Sequence, residues 1–322
     1  MDPASAPPHV SIVLPTFGRL HYLRQAVECI HRQSFEDWEL LVADDGSDTQ
    51  TQEYLRALAT ESRVKVIWLE HSGVPAIVRN AALREARGKY VAFQDSDDLW
   101  EPQKLVRQIQ TLQARPECQW SYTGFSQIDG SGQILLNAPH GQWVPCEGWI
   151  FESLVVGPFL PIRTPSVLAS RELIARCGGF DEAIRSGEDY DLWLRLALES
   201  QVAVVNEPLI QVRRHEENHS HDWEAAFAGR DYSLAKLDSR VGDERARALL
   251  RTERTLNALR LAAIHASRDN PAKMMRALWR SLPYSWMSPR WWFGLVKIPL
   301  RPYVPQALVD ACRKRRYNAG AS

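Results

Sequence analysis

Short apolar runs alternate with segments of helical periodicity along the first third of the chain. Four of the runs are rich in β-branched or aromatic residues and occupy positions 10–15, 38–43, 64–69 and 90–94. Such runs are typical of buried strands, and the apolar residues of segment 20–33 recur at helical spacing. Pro75 and Pro102 stand where helices begin, and Gly88 is placed to cap the helix that Pro75 starts. Four alternations of strand and helix predict an α/β fold whose mostly parallel central sheet lies between helices.

Polar segments follow three of the predicted strands. They read "PTFGR" after the first strand, "DDGSD" after the second and "DSDD" after the fourth. In α/β sheets, ligands bind at the carboxyl ends of the strands, so these segments mark the expected site. The first turn lacks the G-x-G-x-x-G pattern, and the chain contains no G-x-x-x-x-G-K-[ST], so neither a Rossmann dinucleotide site nor a P-loop is supported.

Three aspartates, Asp95, Asp97 and Asp98, crowd the segment after the fourth strand. One interpretation is that they cap the next helix, although Glu101 stands nearer to its first position. A calcium loop is not supported, because apolar residues occupy two positions that must supply oxygen ligands. If the segment is extended, Asp95 and Asp97 point to one face with Asp98 beside them. The favoured interpretation is Mg²⁺ or Mn²⁺ shared with substrate phosphates.

A second acidic segment, "GEDYDLWLRL", begins a predicted helix. Glu188 and Asp189 are suited either to the electrostatics of a helix N-terminus or to general-base catalysis. Asp191 can pair with Arg195 on the helix surface, four residues later, which is a structural role. Trp193 belongs to the core stripe of this helix but also lies one turn beyond Asp189, where it could form a platform for a sugar.

The segment "VRRHEENHSH" contains three histidines, but it lacks the helical pattern of a zinc site. We interpret it as a loop that folds over a bound diphosphate. Arg214 or His215 is expected to touch phosphate or metal there, with His219 as the reserve.

The pattern changes after residue 221. We predict a catalytic domain at 1–221, with residues 1–8 disordered, and a helical C-terminal extension at 222–322. The extension contains two amphipathic helices, and aromatic residues then alternate with basic ones. That mixture suits the surface of an anionic membrane. The alternatives are a helical pair docked on the catalytic domain or a dimer contact, each with a solvated basic tail.

Composition narrows the class of protein. The 322 residues contain 39 Lys plus Arg and 39 Asp plus Glu. The chain therefore lacks the excess of basic residues that would indicate a nucleic-acid partner. The five cysteines are scattered without a C-x-x-C pair, which argues against a zinc site or disulfide framework and fits a reducing compartment. Since neither a secretory signal nor an apolar run of about 18 residues is present, we expect a cytoplasmic protein.

The segments around the polar strand ends, together with "VRNAALREARGKYVAFQDSDDLWEPQKL" and "GGFDEAIRSGEDYDLWLRL", resemble an inverting nucleotide-sugar glycosyltransferase of family 2 with the GT-A fold. The resemblance spans residues 9–215. It implies transfer of a sugar from a nucleoside diphosphate donor, usually UDP-linked, to an acceptor hydroxyl. It further suggests bacterial cell-surface polysaccharide or lipid-linked glycan synthesis and dependence on Mn²⁺ or Mg²⁺.

The resemblance also implies roles for individual residues. Asp189 becomes the general base, and Glu188 contacts the acceptor. The metal site comprises Asp98, Asp97 and His215. The residues expected to bind the nucleotide sugar are Pro15, Thr16, Phe17, Asp45, Arg79, Asp95, Asp97 and Arg214. By the same resemblance, the first three lie where the nucleobase and ribose bind, and Asp45 accepts a hydrogen bond from the base, while Asp44 beside it holds the loop. Arg79 could instead be an ordinary solvated helix charge.

Two other functions are compatible with the same elements. A sugar nucleotidyltransferase also uses an α/β sheet and acidic metal ligands, but it would normally have a glycine-rich basic loop after the first strand. A non-catalytic glycan-binding relative would not be expected to keep both "DSDD" and "GED".

Overall fold

The computed structural model describes residues 6–135, 144–157, 162–215 and 223–300. The chain divides into two compact units, Met1–Asp222 and Trp223–Ser322. The strands are β1 (Val10–Thr16), β2 (Trp38–Asp44), β3 (Val64–Trp68), β4 (Tyr90–Phe93), β5 (Leu99–Trp100), β6 (Cys118–Asp129), β7 (Leu168–Ser170) and β8 (Gln201–Arg214). The helices are α1 (Leu20–His31), α2 (Thr49–Leu58), α3 (Pro75–Glu85), α4 (Lys104–Ala114), α5 (Phe151–Val156), α6 (Arg171–Cys177), α7 (Glu188–Glu199), α8 (Trp223–Asp238), α9 (Glu244–Ser267), α10 (Pro271–Ser285) and α11 (Pro289–Leu300).

The first unit is built on one sheet with the strand order β3-β2-β1-β4-β7-β6-β8-β5. Strands β1 to β4 pair in parallel, with Thr16 opposite Asp44 and Val13 opposite Phe93. Every residue of β2 and β4 is buried, as expected for strands covered on both faces. The loops after β1, β2 and β4 therefore leave the same edge of the sheet, and the predicted α/β fold is confirmed.

The other half of the sheet contains antiparallel strands that the sequence pattern did not predict. Strand β7 runs antiparallel to both β4 and β6, while β8 is parallel to β6 with an irregular register around Gly124. The two-residue strand β5 pairs antiparallel with β8, with Leu99 opposite Gln211. This pairing places the C-terminal end of β8 beside the acidic segment that precedes β5.

Gly88 has a different role from the predicted helix cap. Helix α3 ends at Glu85, and Ala86 already has extended backbone angles. A Cβ atom at Gly88 would lie 2.5 Å from the Ser11 nitrogen, and the Gly88 N–H donates to Ser11 Oγ over 2.8 Å. Glycine is needed here because the chain passes directly against β1.

Lys104, at the start of α4, is a fully buried lysine. Its Nζ lies 3.9 Å from the ring centroid of Trp100 and has no hydrogen-bond partner within the described residues. Burial lowers the pKa of Lys104 well below its usual value. The unfolded chain therefore binds more protons than the folded one, so stability should rise with pH from the lowered folded-state pKa towards the unfolded value of about 10.4.

We expect Lys104→Met to raise the free energy of unfolding at pH 7 by about 1–3 kcal/mol, because it removes an unsatisfied buried polar group at similar volume. The variant should also lose the lysine's contribution to the rise in stability between pH 7 and 9.5. Urea unfolding followed by circular dichroism at both pH values measures this. A variant no more stable than the native protein at pH 7 would contradict the assignment.

The described part of the second unit is helical. Helix α9 begins after Asp243, whose side chain accepts a hydrogen bond from the Ala246 N–H. Helix α10 begins at Pro271, and the side chain of Asn270, directly before it, accepts a hydrogen bond from the Lys273 N–H. Within the described residues, no helix is both long and apolar enough to cross a membrane.

Candidate active site

The acidic segment between β4 and β5 forms a turn rather than an extended strand. The Asp98 N–H donates to the Asp95 carbonyl over 3.3 Å. The three carboxylates consequently point to different partners: Asp95 to Arg79, Asp97 to His215, and Asp98 inward. The sequence analysis placed Asp95 and Asp97 on one face only if the segment were extended, and the turn shows that this condition is not met.

Asp98 is the most enclosed of the three aspartates. Its residue is 5% exposed, and Oδ1 accepts the backbone N–H of Arg213 over 2.8 Å. Burial, with smaller contributions from Asp97 and Asp95, raises the pKa of Asp98 well above its usual value. Its role as a metal ligand stays a prediction, but these contacts favour a structural role in holding the turn against β8.

Asp97 and His215 form the arrangement better suited to a divalent cation. His215 Nε2 lies 3.0 Å from Asp97 Oδ2, and Arg19 Nη1 donates to the same oxygen over 2.8 Å. Carboxylate oxygen and imidazole nitrogen are ligands that Mn²⁺ accepts. Across the described ranges, no three His, Cys, Asp or Glu residues are grouped to hold a metal. The pair would thus need further ligands from substrate phosphate or water.

Arg213 stabilises the acidic turn, although the sequence analysis did not single it out. Its Nε donates to the Asp97 carbonyl over 2.8 Å, and its Nη2 donates to Gln25 Oε1 over 2.7 Å. The neighbouring Arg214 instead donates from Nε to Gln127 Oε1 over 2.9 Å. A diphosphate contact by Arg214 stays a prediction, and His219, the reserve candidate, lies outside the described residues.

Arg79 connects the two acidic segments. Its Nη2 donates to Asp95 Oδ1 over 2.8 Å, and its Nη1 donates to Glu188 Oε1. Burial raises the pKa values of Asp95 and Glu188, while the Arg79 charge opposes this for both. Arg79 is 7% exposed, so the alternative of an ordinary solvated helix charge is wrong.

Asp189 is half-buried at the start of α7. Gly187 precedes it with φ of 84°, a left-handed backbone conformation that favours glycine. Asp189 Oδ2 accepts from Thr164 Oγ1 over 3.1 Å, and Oδ1 accepts from the Tyr190 N–H over 2.7 Å. Both carboxylate oxygens are therefore oriented by donors, which suits a positioned base.

Arg163 is a cation near Asp189 that the sequence did not indicate. Its guanidinium carbon lies 5.1 Å from the Phe125 ring centroid, and its Nε has no hydrogen-bond partner among the residues described. Burial and the nearby Arg214 lower the pKa of Arg163, whereas Asp189 opposes the shift. The structure thus places a largely covered positive charge near Asp189.

Two predictions for the rest of α7 need correction. Asp191 pairs with Arg195, as predicted, through an Oδ2 acceptor 2.8 Å from Arg195 Nε. The pair is buried rather than on the surface, because Asp191 is completely covered. Trp193 is also fully buried and packs against Phe93 and Trp120, so it cannot form a sugar platform.

The residues predicted to bind the nucleobase lie at the carboxyl end of β1. Pro15 and Thr16 complete the strand, and Thr16 Oγ1 is buried without a hydrogen-bond partner among the described residues. Phe17 is 46% exposed and stacks on His71 with ring centroids 4.2 Å apart. An exposed aromatic pair beside a polar strand end can bind a flat, partly polar ring. His71 had not been predicted, and its only sequence signal was its position after the third strand.

Asp45 supports the loop that presents His71. Its carboxylate accepts the N–H groups of Ser72 and Gly73 over 2.8 and 3.0 Å. Asp44, which was expected to hold its own loop, accepts the Ser47 N–H over 3.3 Å. Contact between Asp45 and a nucleobase stays a prediction, because its carboxylate already makes these internal contacts.

A family model described as "Glycosyl transferase family 2" matches residues 11–138. The chain is 30% identical over 222 residues to the putative teichuronic acid biosynthesis glycosyltransferase TuaG of Bacillus subtilis, covering 68% of this chain and 84% of TuaG. It is 27% identical over 197 residues to the Escherichia coli enzyme named UDP-Glc:alpha-D-GlcNAc-diphosphoundecaprenol beta-1,3-glucosyltransferase WfgD, covering 61% of this chain and 73% of WfgD. The chain spans about a third of the length of three rickettsial relatives described as uncharacterized glycosyltransferases.

Solved structures show the same fold. The Staphylococcus aureus TarS 1–349 complex with UDP-GlcNAc aligns with a TM-score of 0.67 at 18% identity, covering 85% of this chain and 81% of TarS 1–349. The mannosyltransferase PcManGT of Pyrobaculum calidifontis, in complex with GDP-Man and Mn²⁺, aligns with a TM-score of 0.57 at 17% identity, covering 93% of this chain and 84% of PcManGT. These likenesses, with the family match, confirm the predicted GT-A fold.

Proposed function

Because the chain belongs to glycosyltransferase family 2, we propose that it transfers a sugar from a nucleoside diphosphate donor to an acceptor hydroxyl with inversion at the anomeric carbon. The observation that carries this proposal is the joining of the two acidic segments by Arg79, which contacts both Asp95 and Glu188. This ion-pair network brings the candidate base Asp189 near the segment proposed to bind the donor.

UDP is the proposed nucleotide. The TarS structure that this chain resembles is a complex with UDP-GlcNAc, and the name of WfgD specifies UDP-Glc. In this chain, Phe17 and His71 provide a stacking surface at the end of β1, with Asp45 directly behind them. The diphosphate would then extend towards Asp97 and the positive charge of Arg19.

A divalent cation fits the donor set at Asp97 and His215. The Asp97 carboxylate and the His215 imidazole lie side by side, so that one cation could contact both. The PcManGT structure that the chain resembles contains Mn²⁺. Bound there, Mn²⁺ or Mg²⁺ would neutralise charge on the departing diphosphate. Arg19 already places a guanidinium against Asp97 Oδ2, so cation binding requires this side chain to move or to share the oxygen.

The chemical step assigned to this chain is proton removal. Asp189 takes the proton of the acceptor hydroxyl while that oxygen attacks the anomeric carbon on the face opposite the nucleotide. Thr164 and the Tyr190 N–H hold the carboxylate in position, and Glu188 is proposed to contact the acceptor. One displacement breaks the bond to the diphosphate as the new glycosidic bond forms, so the anomeric configuration inverts.

The proposed acceptor is a lipid-linked glycan of cell-surface polysaccharide synthesis, met at the cytoplasmic leaflet. The names of TuaG and WfgD support this class, since one refers to teichuronic acid and the other to a diphosphoundecaprenol-linked sugar.

The function is tested by incubating the full chain with a panel of nucleotide sugars, with Mn²⁺, Mg²⁺ or EDTA, and measuring nucleotide release and the anomer of any product. We expect cation-dependent release of UDP and, with acceptor, a product of opposite anomeric configuration. Full activity in EDTA would contradict the cation site. Retention would contradict the mechanism. Formation of UTP and a sugar 1-phosphate from the UDP-sugar, only after pyrophosphate is added, would indicate the nucleotidyltransferase alternative.

Asp45→Ala is expected to weaken UDP binding by about 1–3 kcal/mol, through loss of a buried charge-assisted hydrogen bond. Calorimetry with UDP measures the change. Ser72→Ala is the matched control, because it removes a hydroxyl that donates to Asp45 without removing the carboxylate. If both variants lose equal affinity, the effect comes from the loop and the nucleobase role of Asp45 is wrong.

A further inference from the structure

The second unit carries a group of exposed apolar side chains on α10, on α11 and on the turn between them. We call this group the aromatic face, and it comprises Met275, Trp279, Trp286, Met287, Trp292, Phe293 and Val296. Trp279 is 63% exposed and Trp292 is 54% exposed. Single exposed apolar residues are ordinary, but several tryptophans within about twenty positions are a feature that needs explaining.

The helical geometry groups these side chains. Met275, Trp279 and Trp286 are separated by four and seven residues, so they follow one side of α10 and its C-terminal cap. Trp292 Nε1 donates to the Trp286 carbonyl over 2.7 Å, which joins the start of α11 to the end of α10.

The same two helices bury their opposite sides. Leu278 and Met274 of α10 pack with Ile298 of α11 in a small core, and Trp291 is 2% exposed. The Trp291 indole also donates to Ser281 Oγ over 2.7 Å, which satisfies its N–H inside the unit. The helices therefore already have a complete inner side, and the aromatic face is additional apolar surface.

Charge distinguishes this surface from the rest of the chain. Residues 271–300 contain no Asp or Glu, although the whole chain has equal numbers of acidic and basic residues. The segment has five basic residues, and Arg276, Arg280 and Arg290 are exposed. One of the five, Lys273, pairs with Glu224 of α8 over 2.7 Å. Tryptophan side chains beside the exposed arginines of a segment that has no acids of its own are suited to a surface that is apolar inside and negatively charged outside.

We propose that the aromatic face docks on an anionic lipid bilayer, with α10 and α11 lying in the plane of the interface. Over the residues described up to Leu300, neither helix is long and apolar enough to span a membrane, and the proposal places both helices on the bilayer surface. Their indole and phenyl rings would enter the headgroup region, and the arginines would contact lipid phosphates. This proposal extends the predicted membrane contact to α10, whereas the sequence pattern had assigned it to the aromatic and basic residues of segment 288–318, of which those after Leu300 lie outside the described residues.

A second copy of the chain fits this face less well. In a two-fold dimer the same patch meets itself, so the exposed arginines would approach one another without acids from residues 271–300 to neutralise them. An anionic bilayer supplies that negative charge, and its effect extends about 10 Å at 0.1 M salt. Charge complementarity therefore favours the lipid surface.

Membrane docking does not depend on the proposed sugar transfer, because vesicle binding is measured without any nucleotide sugar. The test is flotation of the full chain with phosphatidylcholine vesicles, with or without 30% phosphatidylglycerol, at about 0.1 M and 1 M salt. We expect binding to the anionic vesicles at low salt, weaker binding at high salt, and little binding to phosphatidylcholine alone. Failure to bind anionic vesicles at low salt would overturn the proposal.

Two matched pairs of variants locate the contact. Arg280→Glu and Arg268→Glu make the same change in net charge at exposed positions of the second unit, but Arg268 lies at the end of α9. We expect Arg280→Glu to lower partitioning by about 10- to 30-fold and Arg268→Glu to change it much less. Trp292→Ser should lower the partitioning by about tenfold, while Trp149→Ser, at a tryptophan of the first unit that is also more than half exposed, should not.

Equal effects within either pair would contradict the assigned surface. Sedimentation velocity on the native chain and on Trp292→Ser provides a separate check. If the native chain forms a dimer that Trp292→Ser dissociates, the aromatic face is a contact between copies, and the membrane proposal is wrong.

Discussion

Asp189→Asn is expected to slow glycosyl transfer by about 10²–10⁴-fold, the usual contribution of a positioned base. The amide keeps the size of the carboxylate, and its oxygen can still accept from the Tyr190 N–H while its NH2 group faces Thr164 Oγ1 as a donor. It cannot take a proton, so the loss should fall on the chemical step. Initial rates of transfer, together with calorimetry showing that UDP affinity is unchanged, would separate chemistry from binding.

Thr164→Val is the graded control for this prediction. It leaves the carboxylate in place but removes the hydroxyl that orients it, so transfer should slow by about tenfold, the equivalent of one hydrogen bond. Asp191→Asn is not a suitable control. It breaks the buried ion pair with Arg195 and should therefore destabilise the fold. A near-native rate for Asp189→Asn would exclude Asp189 as the base.

Arg79→Met should lower the free energy of unfolding by about 3–5 kcal/mol and abolish transfer. The substitution leaves Asp95 and Glu188 enclosed without the cation that both contact, and a buried charge that has lost its partner is costly. Urea unfolding measures the stability, and transfer assays below the unfolding transition measure the activity.

Arg84→Met, on the same helix but exposed, is the matched control and should change stability by less than about 0.5 kcal/mol. The double variant Arg79→Met/Glu188→Gln should recover part of the lost stability, because one of the two stranded charges is removed. If Arg79→Met is as stable as Arg84→Met, the ion-pair network does not hold the two acidic segments together.

The first half of the sheet could be predicted because its strands are rich in β-branched and apolar residues, and those of β1, β2 and β4 are almost entirely buried. Continuous apolar runs therefore marked β1 to β4 to within one residue at either end. The second half could not be predicted in this way. Strand β7 has three residues, and β6 meets β8 through an irregular register across a long stretch of intervening chain. Such pairing depends on contacts far apart in sequence, which local periodicity does not report.

The candidate site shows the same limit at the level of side chains. Resemblance to a family identified which acids to consider, but not the partner of each. Of two adjacent arginines, the sequence favoured Arg214, whereas the structure directs Arg213 to the acidic turn. The difference follows from the register of β5 on β8, with Leu99 opposite Gln211. Trp193 lies in the core because Phe93 and Trp120 pack around it. Its position on the helix did not by itself decide between the core and a sugar platform.

The contacts of Arg213 have a consequence for the kinetics of donor binding. Its guanidinium joins the acidic turn to α1 and, through the Gly130 carbonyl, to the end of β6. The conformational entropy of this turn is therefore lost when the chain folds, not when a nucleotide arrives. Binding of UDP should be a single-exponential process without a slow isomerisation at the acidic turn. Amide hydrogen exchange at Asp98, whose N–H donates to the Asp95 carbonyl, should be slow before the ligand is added, and the change on binding should appear mainly around His71.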